Sequence, residues 1–522
     1  MLRKLRIVLA VTVSTLVTLL FLDFTGMLHL WFGWLAKTQL IPAILENETA
    51  LIIIVLLTII FGRVYCSVIC PLGVMQDAYS NIADRRKKNR FRYSKAINWL
   101  RYGVLALFIA ASAAGLSIIF SLFDPYAAYG RIASSLFAPL YRLGNNFMTF
   151  FAERAGSYAF YSTDVWIKGW IVFGIALATF IVLGILAWRN GRTYCNTICP
   201  VGTILGFISK YSLFKLTVNA DKCNGCELCA RNCKASCLNS KENKIDYSRC
   251  VNCFNCIEKC KSGAISYSFQ MPFKKKNIEA DTVSNENNGG LSRRNLLSLL
   301  GMLAATQTLK AQQQVPLLNV DGGLTPLEAK KAPKRQTHIA PPGAESLEHI
   351  HQHCTACQLC ISACPNNVLR PSMKLSTLMQ PEMSFEKGYC RPECVECSSV
   401  CPTGAIKRIT VPEKSVISIG QAVWVEESCI VNRDKVQCNV CEVKCPAQAI
   451  VMRRLEPENR NSPPPLPPSG QMPPFSMRPV ILKVPVVDKE KCIGCGACEH
   501  LCPVRPLSAI YVEGNERHRE IW

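Results

Sequence analysis

Histidine is scarce in this chain: seven occur among 522 residues, and His29 is the only one before His338. A haem held between two intramembrane histidines is therefore excluded. No Cys-x-x-Cys-His occurs anywhere, which excludes covalent c-type haem as well. Carboxylates are also short, 37 against 59 Lys and Arg, for a net charge of +22. Much of that surplus flanks apolar runs, where it reads as a topology signal. It lacks the interleaved aromatics of a nucleic-acid surface, so that class of partner is set aside. Long apolar runs are missing from everything beyond about residue 210.

What the chain has in abundance is cysteine, 29 residues, most of them in six regular groups. A disulfide framework is the rival reading for so many thiols. Cysteines repeating every three residues suit one compact metal centre better than a set of long-range cross-links.

The N-terminal part is expected to be a four-span membrane domain over residues 1–210. Apolar runs cover residues 7–22, 49–65, 97–123 and 165–188, each near the roughly 20 residues that cross a bilayer. Residues 27–45 are apolar too but interrupted by Lys37 and Pro42, and read as an interfacial or re-entrant segment. The basic loop at residues 85–92 belongs in the cytoplasm, and the charge-balanced loop at 124–164 belongs outside. Trp166 and Trp170 flank the outer end of the fourth run.

Two of the runs end alike. Gly62-Arg-Val-Tyr-Cys-Ser-Val-Ile-Cys-Pro-Leu-Gly73 and Gly191-Arg-Thr-Tyr-Cys-Asn-Thr-Ile-Cys-Pro-Val-Gly202 share eight of twelve positions. Two related hairpins, each with a Cys-x3-Cys-Pro turn, are implied. Their thiols (Cys66, Cys70, Cys195, Cys199) have three readings: metal ligands, a redox dithiol pair, or packing. Arg63 and Arg192 nearby favour thiolate chemistry.

Residues 211–275 carry Cys223-x2-Cys226-x2-Cys229-x3-Cys233 and Cys250-x2-Cys253-x2-Cys256-x3-Cys260. This is the two-cluster bacterial ferredoxin spacing, in which the fourth cysteine of each motif serves the other cluster. One [4Fe–4S] set is then Cys223, Cys226, Cys229 and Cys260; the other is Cys250, Cys253, Cys256 and Cys233. Zinc sites bring ligands in pairs rather than triplets. Lys234 and Lys261 stand where proline is usual, and Cys237 is left over as a structural thiol.

Residues 276–345 read as a linker. Within it Ser292-Arg293-Arg294-Asn295 precedes a mild apolar run to Leu309, the pattern of a twin-arginine signal or anchor, although Ser298 and the leucines depart from its fuller motif. Residues 346–522 carry four more groups, all closed by proline: Cys354, Cys357, Cys360, Cys364; Cys390, Cys394, Cys397, Cys401; Cys429, Cys438, Cys441, Cys445; and Cys492, Cys495, Cys498, Cys502. They imply four further [4Fe–4S] clusters, six in all, paired either as neighbours or first with fourth and second with third. The second and third groups stretch their first gap, so their loops must bulge. Ala405-Ile406, Ala449-Ile450 and Ala509-Ile510 look like the short strands that frame such clusters. Residues 462–479 read as a polyproline spacer. With little aliphatic core available, the clusters must hold this half together. Cofactors are inserted in the cytoplasm, so export would have to take the folded domain, as the twin-arginine route does.

With these residues in view, residues 1–275 resemble the NapH family of membrane ferredoxins, on the paired Cys-x3-Cys-Pro motifs and the two-cluster module. Residues from about 290 onward resemble the NapG and MauM families of exported four-cluster ferredoxins. The resemblance implies a multi-domain chain: an α-helical membrane domain plus two α+β ferredoxin-like modules. It implies a bacterial cytoplasmic-membrane protein that oxidises quinol near the inner face of the hairpins and delivers electrons to a periplasmic acceptor, a haem protein or reductase. As an enzyme it would be a quinol dehydrogenase component with no substrate-reducing site of its own. Asp77 and Glu46 are the candidate bases. Two other readings are a copper reductase for oxidase maturation, resembling the CcoG family, and a redox-sensing scaffold. A reporter fused after Gly263 is expected to face the cytoplasm and one after Trp522 the outside. Two cytoplasmic signals would overturn the export reading.

Overall fold

The computed structural model describes residues 1–23, 26–86, 91–157, 160–270, 328–454 and 482–521. The twin-arginine stretch at 292–309 and the proline-rich spacer at 462–479 lie outside the described residues.

Among the described residues two helices are long and apolar enough to cross a bilayer by length and composition: α1 (Leu2–Leu22) and, later in the chain, α6 (Trp170–Asn190). Each has 21 residues, a rise of about 32 Å at about 1.5 Å per residue. They turn apolar side chains outward, among them Val8, Leu9, Ile181, Val182 and Ile185. A helix of a water-soluble domain buries its apolar stripe instead. The second and third runs are shorter than the sequence implies. α2 (Glu48–Phe61) stops at Gly62, whose φ of 77° no side chain adopts readily. The third run is broken into α4 (Asn98–Ala113) and a short helix Ser117–Phe123, with Gly115 at φ 69° between them. Residues 27–45 form short helices, Met27–Phe32, Trp34–Lys37 and the start of Leu40–Glu46.

After α2 and after α6 the chain doubles back. Tyr65–Ile69 and Thr193–Thr197 form single turns, and Pro71 and Pro200 then open α3 (Pro71–Arg86) and α7 (Pro200–Ser209). Proline suits a first helical turn because its missing N–H has no intrahelical partner there. Between α4 and α6 runs α5 (Pro125–Ile132), capped by the Asp124 carboxylate, which accepts from the Tyr126 and Ala127 amides at 3.0 and 3.2 Å.

Two cysteine-rich units sit at opposite ends of these helices. The first contains the antiparallel pair β1 (Phe214–Val218) and β4 (Ile265–Phe269), with β2 (Leu238–Asn239) on β3 (Lys244–Ile245) between them in sequence. It meets Arg3 of α1 through Glu258 and the end of α2 through Tyr267, which donates to the Phe61 carbonyl at 3.0 Å. It also meets the start of α4, where Arg101 donates to Ser248 at 3.1 Å, and the end of α6, where the Arg192 amide donates to the Lys234 carbonyl at 2.8 Å. The second unit takes the other ends. Glu396 lies beside Gly26 after α1, Gly404 beside Glu46 before α2, and His351 beside Ser117 after α4. Before α6, Lys168 donates to the Ile361 carbonyl at 2.5 Å. Each of α1, α2, α4 and α6 thus has one end on each unit.

The second unit is built on three antiparallel pairs. These are β5 (Leu369–Pro371) with β6 (Pro381–Met383), β7 (Ile417–Trp424) with β10 (Ile510–Glu520), and β8 (Ile450–Arg454) with β9 (Lys483–Val487). Ile450 and Ile510 start strands as their sequence context implies; Ala405-Ile406 does not. The unit also begins earlier than residue 346. Ile339 is fully buried, Arg335 pairs with Glu499 at 2.5 Å, and the Thr337 amide donates to Glu513 at 2.6 Å. Residues 328–345 are therefore part of a folded unit rather than loose linker, because they supply partners for buried polar groups on β10 and the helix before it.

Asp77 on α3 is the charge centre of the helical body. It accepts from Arg192 at 2.8 and 3.0 Å and from Arg6 at 2.9 Å, with Lys234 at 3.8 Å. Asp77→Asn would leave buried cations without a counter-charge and is expected to cost about 3–5 kcal/mol. Arg3→Ala, which breaks a partly exposed pair, should change stability by at most about 1 kcal/mol. Thermal unfolding of the two variants in detergent separates these outcomes.

Candidate metal centres

Each cysteine motif folds the same way. Its third cysteine lies on a one-turn helix: Leu228–Arg231, Asn255–Lys259, Leu359–Ala363, Glu396–Val400, Val440–Val443 and Ala497–Leu501. In four motifs the residue just before that helix is left-handed: Glu227 at φ 57°, Phe254 at 59°, Gln358 at 65° and Gly496 at 78°. Three cysteines within seven residues force the chain to reverse there, and the left-handed residue makes the reversal. The two motifs with a stretched first gap do not need it: Val395 and Asn439 have φ of −120° and −135°. The extra residues of the third motif form the turn Ile430–Arg433.

The fourth cysteine ends the helical turn in extended backbone, as at Cys260, Cys364, Cys401 and Cys502. The chain turns away from its own motif at that point and carries the thiol to the neighbouring one. Cys401 lies within electrostatic reach of Cys354, Cys357 and Cys360. Cys364, Cys390, Cys394 and Cys397 line one cavity, and Cys429, Cys438, Cys441 and Cys502 line another. Cys445 stands with Cys492, Cys495 and Cys498. Neighbouring motifs therefore pair, first with second and third with fourth. In the first unit Cys233, Cys250, Cys253 and Cys256 share an apolar cavity that Cys237 also lines, so the surplus thiol is part of that wall. Cys229 neighbours Cys223 and Cys226, while Cys260 faces Ser262 at 3.5 Å.

These cavities fit cubane clusters in the chemistry of their donors. Soft thiols surround apolar space, and amide N–H groups point at sulfur, from Ala356 to Cys354 at 3.4 Å, Ile406 to Cys401 at 3.4 Å and Ala449 to Cys445 at 3.3 Å. Burial, with neighbouring thiols adding to it, pushes Cys441 and Cys495 up to about 12. Bare thiols there would stay protonated, and iron supplies the positive charge that holds them as thiolates. Among the described residues no three His, Cys, Asp or Glu side chains are close enough to hold a single metal ion. A cubane instead needs its thiolates spread around it.

Cys66, Cys70, Cys195 and Cys199 are all buried between the two hairpins, 4–6 % exposed. The hairpins interlock crosswise. Arg63 of the first donates to the Cys195 carbonyl at 3.2 Å, and Arg192 of the second donates to the Cys66 carbonyl at 2.5 Å. Gly73 and Gly202 press against those same two carbonyls, where a Cβ would not fit. Sulfur also takes donors here: Gln76 reaches Cys195 at 3.2 Å, and the Gly202 amide reaches Cys199 at 3.3 Å. The candidate bases do not meet: Asp77 is enclosed by cations beside this site, whereas Glu46 lies at the far end of α2. Sequence reasoning missed Asp124, Arg131 and Lys168 as site neighbours. Buried charge beside apolar runs was the available signal.

The family described as a 4Fe-4S binding domain matches residues 49–90 and 170–219, and a 4Fe-4S dicluster domain matches residues 436–505. An uncharacterized protein of Methanocaldococcus jannaschii is 38 % identical over 108 residues, 21 % of this chain and 42 % of its own length. The chain thus spans less than half of that relative. The methylamine utilization ferredoxin-type protein MauM of Methylobacillus flagellatus is 26 % identical over 181 residues, 34 % of this chain and 68 % of MauM. The ferredoxin-type protein NapH of Haemophilus influenzae is 26 % identical over 237 residues, 44 % of this chain and 70 % of NapH. No solved structure matches. Six regular thiol motifs, cavities that suit cubanes and these relatives converge: the chain is a NapH- and MauM-like ferredoxin-type protein with [4Fe–4S] binding domains.

Proposed function

We propose that the chain is a multi-pass protein of a bacterial cytoplasmic membrane that oxidises quinol and conducts electrons to an acceptor outside. The observation that carries this reading is the placement of the two cysteine-rich units at opposite ends of the same four helices, two of them long and apolar enough to span. α1, α2, α4 and α6 are the four spans. Residues 211–275 face the cytoplasm, and residues 328–522 face outward, exported through the twin-arginine stretch.

Six [4Fe–4S] clusters, when bound, supply one-electron carriers. Cys223, Cys226, Cys229 and Cys260 hold the outermost on the cytoplasmic side; Cys226 is the exposed thiol of that set. Cys250, Cys253, Cys256 and Cys233 hold the next, against the helices. In the second unit the order outward is Cys354/Cys357/Cys360/Cys401, then Cys390/Cys394/Cys397/Cys364, Cys492/Cys495/Cys498/Cys445 and Cys429/Cys438/Cys441/Cys502. The Cys390 amide donates to the Cys495 carbonyl at 2.9 Å, which joins the second of these sites to the third. Exposed Val436 and Val443 beside the last set suit the docking of a redox partner.

The quinol head is placed against the narrow cleft between Ser134, Arg142, Trp166, Lys168, Phe173 and Gln358, at the outward end of α6 rather than at the inner face of the hairpins, and the cleft would have to widen to admit it. Trp166 and Phe173 offer flat apolar walls, and Lys168, Arg142 and Gln358 offer donors to its two oxygens. Lys168 is bonded to the Ile361 carbonyl, next to Cys360, so this cavity adjoins the set nearest the membrane. Oxidation releases two electrons, taken one at a time, and two protons. The copper-reductase alternative fits less well, because the four thiols it would use are buried away from solvent.

Anaerobic addition of a quinol analogue to purified membranes should generate cubane EPR signals. Silent clusters together with reduction of added copper would sink this reading in favour of the alternative. Lys168→Ala should slow quinol-driven reduction at least about tenfold while dithionite still reduces every cluster. Ligand sharing has its own signature: Cys401→Ser should abolish the same EPR component as Cys354→Ser, and Cys364→Ser a different one.

A further inference from the structure

One helix is built inside out. After α5 the chain continues through Ala133–Phe137 into the helix Ala138–Arg154, and residues 160–169 return beside it to the start of α6. We propose that this hairpin lies in the outer leaflet of the bilayer, with its aromatic face on lipid.

Polarity gives the first reason. Along the helix Leu140, Leu143, Phe147, Met148, Phe150 and Phe151 are 51–66 % exposed, whereas Asn145, Asn146 and Thr149 turn inward. A helix resting on a water-soluble body does the opposite. The three phenylalanines alone show roughly 300 Å², taking half of about 200 Å² each. That already equals the largest apolar patch usual on a soluble monomer.

The backbone gives the second. Residues 161–167 have no regular secondary structure, and polar backbone at membrane depth must find its partners within the protein. The inward asparagines supply them. Asn145 Nδ2 donates to the Tyr161 carbonyl at 2.8 Å. Asn146 Nδ2 donates to the Thr163 carbonyl at 2.8 Å, and its Oδ1 accepts from the Thr163 amide at 2.8 Å. The Thr149 hydroxyl donates back to the Asn145 carbonyl at 3.0 Å. Side-chain amides do for this segment what water does for a surface loop.

Position gives the third. Ala138 and Arg142, in the first turns of the helix, line the cleft with Trp166 and Lys168, beside Ile361 and Pro371 of the second unit. The hairpin therefore leaves the body at the outward end of α6, where exposed Trp170 and Ile171 begin that helix's own outward-turned apolar side. Exposed Tyr161 and Arg154, whose guanidinium lies over the Phe150 ring at 4.6 Å, carry the polar tips that a headgroup layer favours. The bulk of the face selects lipid over a second copy of the chain. Helices that pair within a bilayer meet along stripes of small residues, and Gly144 is the one small residue exposed across positions 140–151. The cleft assigned to quinol lies at the root of this hairpin, so a lipid-soluble quinol reaches it from the leaflet without crossing water. That consequence rests on the quinol reading above; the seat of the hairpin rests only on α6 crossing a membrane.

The test places the photoreactive residue p-benzoylphenylalanine at Phe147 in the full chain, held anaerobically in nanodiscs of phosphatidylethanolamine and phosphatidylglycerol. Val182 on α6 and Val436 on the second unit are the reference positions for lipid and water. After irradiation, mass spectrometry of the digested chain should find lipid adducts at Phe147 at a yield matching Val182, and none at Val436. Adducts at Val182 but none at Phe147 would overturn the proposal, as would chain-to-chain products at Phe147. No adduct at either position would overturn the membrane reading itself. Should the Phe147 replacement not accumulate, the same residue at Phe151 is read in the same way.

Discussion

Buried positive charge is the constraint on which the helical body depends. Arg63 and Arg192 are both wholly buried, and each crosses from its own hairpin to a backbone carbonyl of the other. A guanidinium presents its donors in a rigid planar fork, so it can bind a carbonyl, a carboxylate and a neighbouring side chain at once. Arg192 does this with Cys66 and Asp77, and its own amide ties α6 to the first cysteine-rich unit. Arg63 reaches Ser248 of the same unit. The interlock of the hairpins and the seating of the ferredoxin module are therefore one network, centred on Asp77. Removing any one charge would loosen both.

Around that network the two cysteine-rich units solve a different problem. Their strands are short, and most pairs are isolated from one another, so hydrogen-bonded sheet contributes little continuous framework. Their fold comes from repeated local turns that set thiols around apolar space. Positive φ at Glu227, Phe254 and Gln358 is conformationally expensive for residues with side chains. It is accepted where the cysteine spacing leaves no other way to reverse the chain before the third cysteine; in the stretched motifs the corresponding Val395 and Asn439 are not left-handed, and in the third motif Lys435 within the inserted residues is, at φ 55°.

Much of this was legible in the sequence. The twelve-residue repeat named its own symmetric contacts: Arg63 and Arg192, Gly73 and Gly202, and the paired cysteines are identical positions of the repeat because they occupy equivalent places in the interlock. The ferredoxin spacing likewise implied the grouping of Cys233 with Cys250, Cys253 and Cys256 that lines one cavity. Motif pairing in the second unit was not legible, since both schemes satisfy the same spacing and it takes the packing of Leu359–Ala363 on Glu396–Val400, and of Val440–Val443 on Ala497–Leu501, to distinguish them. Nor was the extent of that unit. Residues 328–345 are rich in proline and lysine, as linkers are, yet Arg335 meets the buried carboxylate of Glu499 and Thr337 the half-buried one of Glu513, far along the chain. Composition reports solvation, and it does not report a distant partner. The apolar run at 97–123 read as one span because hydropathy averages over Gly115, whose backbone breaks the helix.

The meeting of residues 335–337 with Glu499 and Glu513 bears on how the chain is made. The first strip of the second unit cannot find its partners until Glu499 and Glu513 have left the ribosome. That unit consequently closes only after all four of its cysteine motifs have been made, with its thiols open to cofactor insertion until then. Synthesis of the cysteine motifs therefore precedes closure of the domain around them.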